Sequence, residues 1–321
     1  MNTDLPWIIS VAELDRLQEE LPELVVADVR WYLDGRSGME SYEAGHLPGA
    51  AFVDLDTVLA SPPTAAEGRH PLPLPETFAA GMEVAGIGDD SVVVAYDDAF
   101  GASASRLVWL LRATGHQAAV LDGGLPAWTA AHGEDALQTG PDQVVPREDG
   151  AFAPVSYTEE FFASIDEAQL EAGQPEGAVV IDSRAPQRYR GEAEPLDARA
   201  GHIPGAVNLV HTGNIGPEGM FLPAEQIRAR FTAVGVHPTR TIEPDAAGTP
   251  ESVTSDPTRG RNLSALIPAS EAAPIVYCGS GVTATHNLVA MAHAGIHGRL
   301  YPGSWSQYAA TDRPLSTGDA S

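Results

Sequence analysis

The sequence predicts an α/β protein of two domains, each built on a parallel sheet flanked by helices. Three observations support this prediction. The chain has 321 residues, and one domain typically takes about 150. Short apolar runs rich in β-branched residues, typical of buried parallel strands, alternate with segments of helical periodicity. Four sequence blocks of the first half recur, in the same order, in the second half.

The recurring blocks indicate that one domain has been duplicated. Written as first copy and second copy, they are 25–30 with 179–184, 45–50 with 201–206, 92–97 with 273–278, and 122–128 with 302–308. The repeat is too long for a solenoid, whose units span about 20–50 residues. We place the first domain at 5–140, a linker rich in Gly, Pro and acids at 141–155, and the second domain at 156–316.

Strands and helices follow from the local patterns. The clearest predicted strands are 25–27 and 92–95, and the clearest predicted helices are 105–114 and 285–294. In the first of these helices Leu107, Leu110 and Leu111 share one face, and Gly115 provides a stop signal. The three leucines therefore predict one apolar face for this helix.

The second half contains an insertion of about 25 residues, which we place at about 237–272. It holds five prolines and many Thr and Ser residues, a composition that buries little apolar surface. The prediction is a surface loop or disordered excursion. The alternative is a lid that brings Arg240, Arg259 or Arg261 toward an anionic substrate.

Charge and composition exclude several classes of protein. Acids outnumber bases 44 to 18, and the formal net charge of −26 argues against nucleic acid or a membrane as a partner. Every basic residue is arginine, so lysine-dependent chemistry, including pyridoxal phosphate and P-loop chemistry, is excluded. The single cysteine allows no intrachain disulfide and no cysteine-rich metal site, and we expect neither metal nor cofactor. Without a signal-peptide pattern or a long apolar run, the sequence predicts a soluble cytoplasmic protein.

The single cysteine, Cys278, lies where chemistry is expected. It follows the apolar run 274–277 and precedes a loop, Gly-Ser-Gly-Val-Thr-Ala, that opens the second predicted helix. Unpaired backbone N–H groups and the helix dipole at such a position favour the thiolate. The matching residue of the first half is Asp97, so we expect only the second half to carry a nucleophile.

These motifs resemble the tandem-domain sulfurtransferases of the rhodanese superfamily, and the cysteine loop is similar to that of the 3-mercaptopyruvate branch. The resemblance rests on the segments 278–284, 28–32, 45–50, 201–206 and 121–124, together with Trp128. It implies two rhodanese-like domains, an active site in the cleft between them, and a catalytically silent first domain.

The resemblance also implies a mechanism. The Cys278 thiolate takes sulfur from a small-molecule donor, 3-mercaptopyruvate, as a persulfide. A thiol or cyanide acceptor, or a thioredoxin-like reductant, then removes it. The loop expected to hold the persulfide's charge comprises Gly279, Gly281, Val282 and Thr283. A proton relay is implied for Ser280, His70 and Asp56, with Asp54 as an open alternative to Asp56.

A substrate carboxylate needs guanidinium donors, and the resemblance places one at Arg188. The family's second arginine is missing, because the run reads Glu194-Pro-Leu-Asp197; Arg199 is a candidate replacement. This departure keeps thiosulfate open as the donor.

Two other classes of protein compete with this interpretation. A non-enzymatic binding protein would not need the intact cysteine loop. A cysteine-based phosphatase would need an arginine where Ala284 and Thr285 stand. The remaining prominent side chains are predicted to be structural. We expect His46 and His202 to hold a turn to the strand beside it, and Trp31, Trp128 and Trp305 to pack in the core.

Overall fold

The computed structural model describes residues 5–141, 151–174, 177–237 and 273–319. These residues form two α/β units, each around one parallel sheet, which confirms the predicted fold class. Most of the proposed insertion, 238–272, lies outside the described residues, as does 142–150 of the proposed linker. No helix in the described ranges is long and apolar enough to cross a bilayer.

The first unit has five strands and six helices among its described residues. The strands are β1 (Ile8–Ile9), β2 (Leu24–Asp28), β3 (Ala51–Phe52), β4 (Val92–Tyr96) and β5 (Gln117–Leu121). The helices are α1 (Val11–Glu20), α2 (Gly38–Ala44), α3 (Leu55–Val58), α4 (Pro75–Val84), α5 (Ala104–Ala113) and α6 (Gly124–His132). The sheet order is β1-β5-β4-β2-β3.

The second unit repeats this topology. Its strands are β6 (Val180–Asp182), β7 (Val207–Asn208), β8 (Ile275–Tyr277) and β9 (Arg299–Leu300), in the order β7-β6-β8-β9. Its helices are α7 (Ile165–Glu171), α8 (Pro186–Tyr189), α9 (Ala224–Thr232), α10 (Thr283–His293) and α11 (Ser304–Tyr308). A single parallel bridge between Phe162 and Leu300 stands where β1 pairs with β5 in the first unit.

The repeated Asp-x-Arg pair is a structural device. In the first unit Asp28 and Arg30 form a buried bidentate ion pair, and Arg30 Nη2 also donates to the carbonyl of Gly45 at 2.8 Å. A buried charge is tolerated when it is paired and hydrogen-bonded in this way. The pair therefore ties the end of β2 to the Gly-His turn. The second unit makes the same contacts with Asp182, Arg184 and Gly201.

The two repeated histidines are structural, as predicted. His46 Nδ1 lies 2.8 Å from the carbonyl oxygen of Tyr42, and the two rings stack. His202 makes the same contacts with Tyr189. Both histidines are fully buried, so each one locks its turn against the preceding helix.

The two units share one apolar core. Helix α5 packs against α10, and a single buried cluster contains residues of both helices, such as Leu107 and Leu288. Every residue of α5 except Arg112 is buried, so the prediction of one core-facing side was incomplete. The interface buries α5 on its other side and brings the first unit close to the loop that follows β8.

Candidate active site

The loop after β8 holds the predicted nucleophile. Cys278 is the first residue after that strand, and its side chain is buried in the loop that ends where α10 begins. The backbone N–H of Gly281 donates to Cys278 Sγ at 3.1 Å. That amide presents the positive end of its dipole to the sulfur.

This loop requires glycine at position 281. Gly281 has φ +79°, a left-handed conformation that side chains disfavour. A Cβ on Gly281 would also lie 2.5 Å from the carbonyl oxygen of Pro302. Glycine thus allows the chain to turn its amide back toward the sulfur.

The corresponding loop of the first unit holds an acidic side chain that accepts several hydrogen bonds. Asp97 Oδ1 accepts the N–H groups of Ala99 and Gly101, each at 2.8 Å. Asp97 Oδ2 accepts the N–H groups of Ser103 and Ala104, each at 2.9 Å, and the Ser103 hydroxyl at 3.1 Å. The duplicated loop is therefore an anion cradle, and its first copy has a carboxylate in place of a sulfur nucleophile.

A chain of hydrogen-bonding groups leads away from the cysteine loop. Ser280 Oγ lies 2.7 Å from His70 Nδ1, and His70 Nε2 lies 3.3 Å from Asp56 Oδ1. Because an ionised Asp56 can only accept, His70 carries its proton on Nε2 and accepts the Ser280 hydroxyl on Nδ1. Asp54 instead caps α3 by accepting the N–H and hydroxyl of Thr57. Asp56, not Asp54, is thus the acid beside His70.

Burial keeps His70 neutral. The desolvation of the ring, followed by the positive charge of Arg106, lowers the pKa of His70 to about 4, while Asp56 acts in the opposite direction. Near pH 7 the ring is therefore neutral, and the lone pair of Nδ1 can accept the hydrogen bond of the Ser280 hydroxyl. Trp31 supports this arrangement: its indole N–H donates to Asp56 Oδ2 at 3.0 Å, and its ring meets His70 edge-on. Trp31 packs on the core as predicted and also orients the acid, whereas Trp128 and Trp305 are buried core residues.

Arg106 is a cation that sequence reasoning missed. It belongs to α5, is completely buried, and donates to the carbonyl oxygens of Gly281 at 3.0 Å and His70 at 3.2 Å. Its hydrogen-bond partners within the described ranges are all backbone carbonyls. Burial lowers the pKa of Arg106 to about 10, while the nearby Cys278 favours the charged form. The first unit therefore places an uncompensated positive charge beside the cysteine loop.

Two guanidinium groups lie over the residue that follows the cysteine. A Cβ on Gly279 would be 2.9 Å from Arg69 Nη2 and 3.2 Å from Arg188 Nη1. Arg188 is the predicted substrate arginine, whereas Arg69 was not predicted. The only sequence signal for Arg69 is that it directly precedes His70.

Both guanidiniums are bonded to acids. Arg188 Nη2 donates to Glu194 Oε1 at 2.6 Å and to Asp197 Oδ2 at 3.0 Å. Arg69 Nη1 donates to Asp197 Oδ1. Arg199, the candidate second arginine, donates to the carbonyl oxygens of Thr311 and Arg313 instead. The suggestion that Arg199 replaces the missing arginine is therefore wrong, because its guanidinium is tied to the C-terminal segment.

Ser304 is another residue that sequence reasoning missed. It has φ +51° at the position where the first unit has Gly124, with φ +54°. Its hydroxyl accepts the N–H of Cys278 at 3.2 Å. Strained backbone of this kind concentrates at functional sites. The signal in the sequence was the change from glycine to serine between the two copies.

Fold and site together define a duplicated α/β protein with one cysteine-centred anion cradle between its units. Within the described ranges, no group of three or more His, Cys, Asp or Glu side chains could hold a metal ion. The family model for the rhodanese-like domain matches residues 10–131 and 165–311. The chain belongs to the rhodanese-like family, as the sequence motifs predicted.

Named relatives match almost the whole chain. A Pseudomonas aeruginosa protein named "Probable 3-mercaptopyruvate sulfurtransferase" is 42% identical over 318 residues, which cover 95% of each chain. The thiosulfate sulfurtransferase of Azotobacter vinelandii is 35% identical over 240 residues, covering 74% of this chain and 81% of that protein. The crystal structure of the 3-mercaptopyruvate sulfotransferase SseA from Escherichia coli superposes with a TM-score of 0.70 at 29% identity, covering 94% of this chain and 99% of that one.

Proposed function

We propose that this protein is a sulfurtransferase that moves sulfur from 3-mercaptopyruvate to a thiol or cyanide acceptor through a persulfide on Cys278. The observation that carries the proposal is the chain Ser280–His70–Asp56, which begins two residues after the nucleophile. This donor needs a proton to be moved, and the relay can move one.

The first half-reaction balances without a cofactor. The Cys278 thiolate attacks the donor's sulfur, the donor's carbon–sulfur bond breaks, and its electron pair remains on carbon as the enolate of pyruvate. The donor's thiol proton passes through the Ser280 hydroxyl to His70 and returns to the enolate carbon. The products are pyruvate and the Cys278 persulfide anion. Asp56 stabilises the imidazolium while it carries the proton.

Anion binding supports the same donor. Arg188 and Arg69 present guanidinium groups over Gly279, which suits a carboxylate carried by a molecule whose sulfur reaches Cys278. The amide of Gly281, the N-terminus of α10 and the charge of Arg106 stabilise the persulfide anion. The roles of Gly279, Val282 and Thr283 in this cradle remain predictions.

In the second half-reaction an acceptor thiolate attacks the outer sulfur of the persulfide, and Cys278 leaves as thiolate. Cyanide takes the same sulfur and becomes thiocyanate. A thioredoxin-like acceptor and a cytoplasmic location remain predictions.

Thiosulfate is the second candidate donor, because a relative with 35% identity carries that name. The leaving group of thiosulfate is sulfite, which needs no proton. Transfer of sulfur from thiosulfate would therefore make no use of the proton relay. The positions after the cysteine, Gly279 and Ser280, are also neutral, whereas thiosulfate is a dianion.

The proposal is tested by mass spectrometry of the intact protein after incubation with 3-mercaptopyruvate. Wild-type protein should gain one sulfur atom and release pyruvate, and added cyanide should remove that sulfur. Cys278→Ser should do neither while keeping its circular dichroism spectrum, because a hydroxyl is a much weaker nucleophile than a thiolate. Pyruvate production at the wild-type rate by this variant would overturn the proposal.

A further inference from the structure

Four charged side chains form a cluster beside Gly279: Arg69, Arg188, Glu194 and Asp197. Asp197 bridges the two guanidiniums, with Oδ1 on Arg69 and Oδ2 on Arg188. Glu194 binds the other edge of Arg188, at 2.6 and 3.2 Å. The carboxylate of Asp197 thus contacts both guanidiniums, the arrangement that a bound carboxylate would adopt.

The cluster is close to electrically neutral. Its two positive charges, on Arg69 and Arg188, are matched by the two negative charges of Glu194 and Asp197. Glu194 also contacts Arg184, but the charge of Arg184 is already paired with that of Asp182. The side chains of both Glu194 and Asp197 are almost completely buried, at 3% and 5% exposure. Their charges are consequently screened little by solvent, so an entering anion meets little net attraction from the pair of arginines.

The two acids differ in how firmly they are held. Glu194 is bonded to Arg184 and Arg188 and also accepts the backbone N–H groups of Leu196 and Asp197. Among the described residues, the Asp197 carboxylate is hydrogen-bonded only to Arg69 and Arg188. Asp197 is therefore the acid that a donor can displace.

We infer that Asp197 is a specificity-determining residue, which holds the two donor-binding arginines in place before a donor binds and disfavours dianionic donors relative to monoanionic carboxylates. The inference rests on the proposed function of this site. A unit charge acts on a dianion with twice the energy that it exerts on a monoanion at the same place. The negative charge of Asp197 therefore penalises thiosulfate more than mercaptopyruvate.

The test is Asp197→Asn, assayed with both donors and cyanide as acceptor. Asparagine keeps the shape and one acceptor oxygen but removes the charge. We expect kcat/KM for thiosulfate to rise by about tenfold, mainly through a lower KM, and kcat/KM for mercaptopyruvate to change by less than about threefold.

Glu192→Gln is the matched control. It removes one negative charge that is also paired with an arginine, Arg190 at 2.7 Å, but the Glu192 side chain is 55% exposed and outside the cluster. Both donors should keep their wild-type kcat/KM in this variant. An unchanged ratio of the two donors in Asp197→Asn would overturn the inference.

Two outcomes on wild-type protein separate the inference from the proposed function. Wild-type protein that forms no pyruvate from mercaptopyruvate contradicts the proposed function itself. If Asp197→Asn fails to fold, inhibition of the wild type decides: the monoanion pyruvate should inhibit more strongly than sulfate. Equal or stronger inhibition by the dianion contradicts the inference alone.

Discussion

Ser280 serves two separable purposes in the cysteine loop. Its backbone belongs to the turn that directs the Gly281 amide at the sulfur, and its hydroxyl donates to His70 at 2.7 Å. Removing the hydroxyl should therefore interrupt the proposed proton relay and leave the Gly281 amide at the sulfur in place. The two candidate donors differ in their need for that relay, so they report on the two purposes independently.

Ser280→Ala should separate the donors. We expect kcat for mercaptopyruvate to fall by roughly 10²–10⁴, the usual contribution of general acid–base catalysis. Thiosulfate turnover should change by no more than about threefold, since sulfite leaves without a proton. Steady-state rates with cyanide as acceptor measure both effects.

His70→Asn provides the companion test. If Ser280 and His70 act as one unit, the double variant should be about as slow with mercaptopyruvate as either single variant. An equal loss for both donors in Ser280→Ala would contradict the relay and would favour thiosulfate as the donor.

At this scale the sequence identified residues whose signal is local. Cys278 and Ser280 stand in one short motif, and the identity of neighbouring residues was enough to single them out. Arg69 and Ser304 meet the cysteine loop only through long-range folding, so no spacing in the sequence reported them. Arg199 was misjudged for the same reason, because its carbonyl partners lie more than 100 residues away.

Among the elements, the loop between strand and helix carries the function. The same connection follows β4 in the first unit and β8 in the second, and it holds a carboxylate in one and a thiol in the other. The Asp97 carboxylate accepts hydrogen bonds from backbone N–H groups of the first loop, as the sulfur of Cys278 accepts one from Gly281 in the second. Although the two loops differ in length, each is shaped so that backbone N–H groups point at its first side chain.

Gly281→Ala tests whether that shape is needed for activity. The new Cβ would meet the Pro302 carbonyl at 2.5 Å, so the loop must move and the amide must turn away from Sγ. We expect at least a tenfold loss of kcat/KM with both donors, because the cradle serves both. Steady-state rates and circular dichroism together separate loss of activity from loss of fold.

Gly35→Ala is the control for backbone strain alone. Gly35 also has a left-handed φ, +85°, but a Cβ there would have no heavy atom within 4 Å. Its substitution should cost about 1 kcal/mol of stability and leave the rates unchanged. Wild-type rates in Gly281→Ala would contradict a role for the loop's shape.

The sequence predicted the bounds of the helices and strands better than the contacts that bury them. Helix α5 was expected at 105–114 and is found at Ala104–Ala113, because its periodicity and its glycine stop are local signals. Its burial on all sides depends on α10, which lies about 180 residues further along the chain. A local pattern cannot reveal which helix of the other unit covers a face.

In the whole molecule, the first unit completes the candidate site. Asp56, His70, Arg69 and Arg106 all come from the first half, although the nucleophile belongs to the second. The cleft between the units was implied by the resemblance to tandem sulfurtransferases. The particular side chains that cross it depend on how α5 packs against α10, which the composition of either half alone does not determine.

The packing of the two units also buries many histidines in neutral form. Desolvation is the largest cause of a lowered pKa in each of six of them: His70, His116, His211, His286, His293 and His297. The deepest is His286, whose pKa falls to about 3. It lies on α10, stacks on Phe221, and its Nε2 lies 3.1 Å from the carbonyl oxygen of Phe100 in the first unit.

These histidines predict that the free energy of unfolding decreases as the pH is lowered from 7 to 5. Above pH 6.5 they are neutral in both the folded and the unfolded chain, and the full stability is present. As the pH falls below 6.5, the unfolded chain binds protons that the folded chain takes up only nearer to its lowered pKa values, so the free energy of unfolding decreases. The slope is at most about 1.4 kcal/mol per pH unit for each histidine. Buried acids with a raised pKa, among them Asp28 and Asp122, act in the opposite direction.

Urea unfolding at pH 7, 6 and 5 measures this slope, with His286→Gln as the informative variant. Glutamine keeps an N–H group that can donate to the Phe100 carbonyl and carries no titratable nitrogen. Between pH 6.5 and 5, the free energy of unfolding of this variant should therefore change less steeply with pH, by up to the contribution of one proton. For each protein, the free energy of unfolding at pH 6 and pH 5 is compared with its own value at pH 7. A loss of stability from altered packing in the variant therefore does not affect the measured pH dependence. A free energy of unfolding that stays constant or rises from pH 7 to pH 5 would show that buried neutral histidines do not govern the acid sensitivity of this protein.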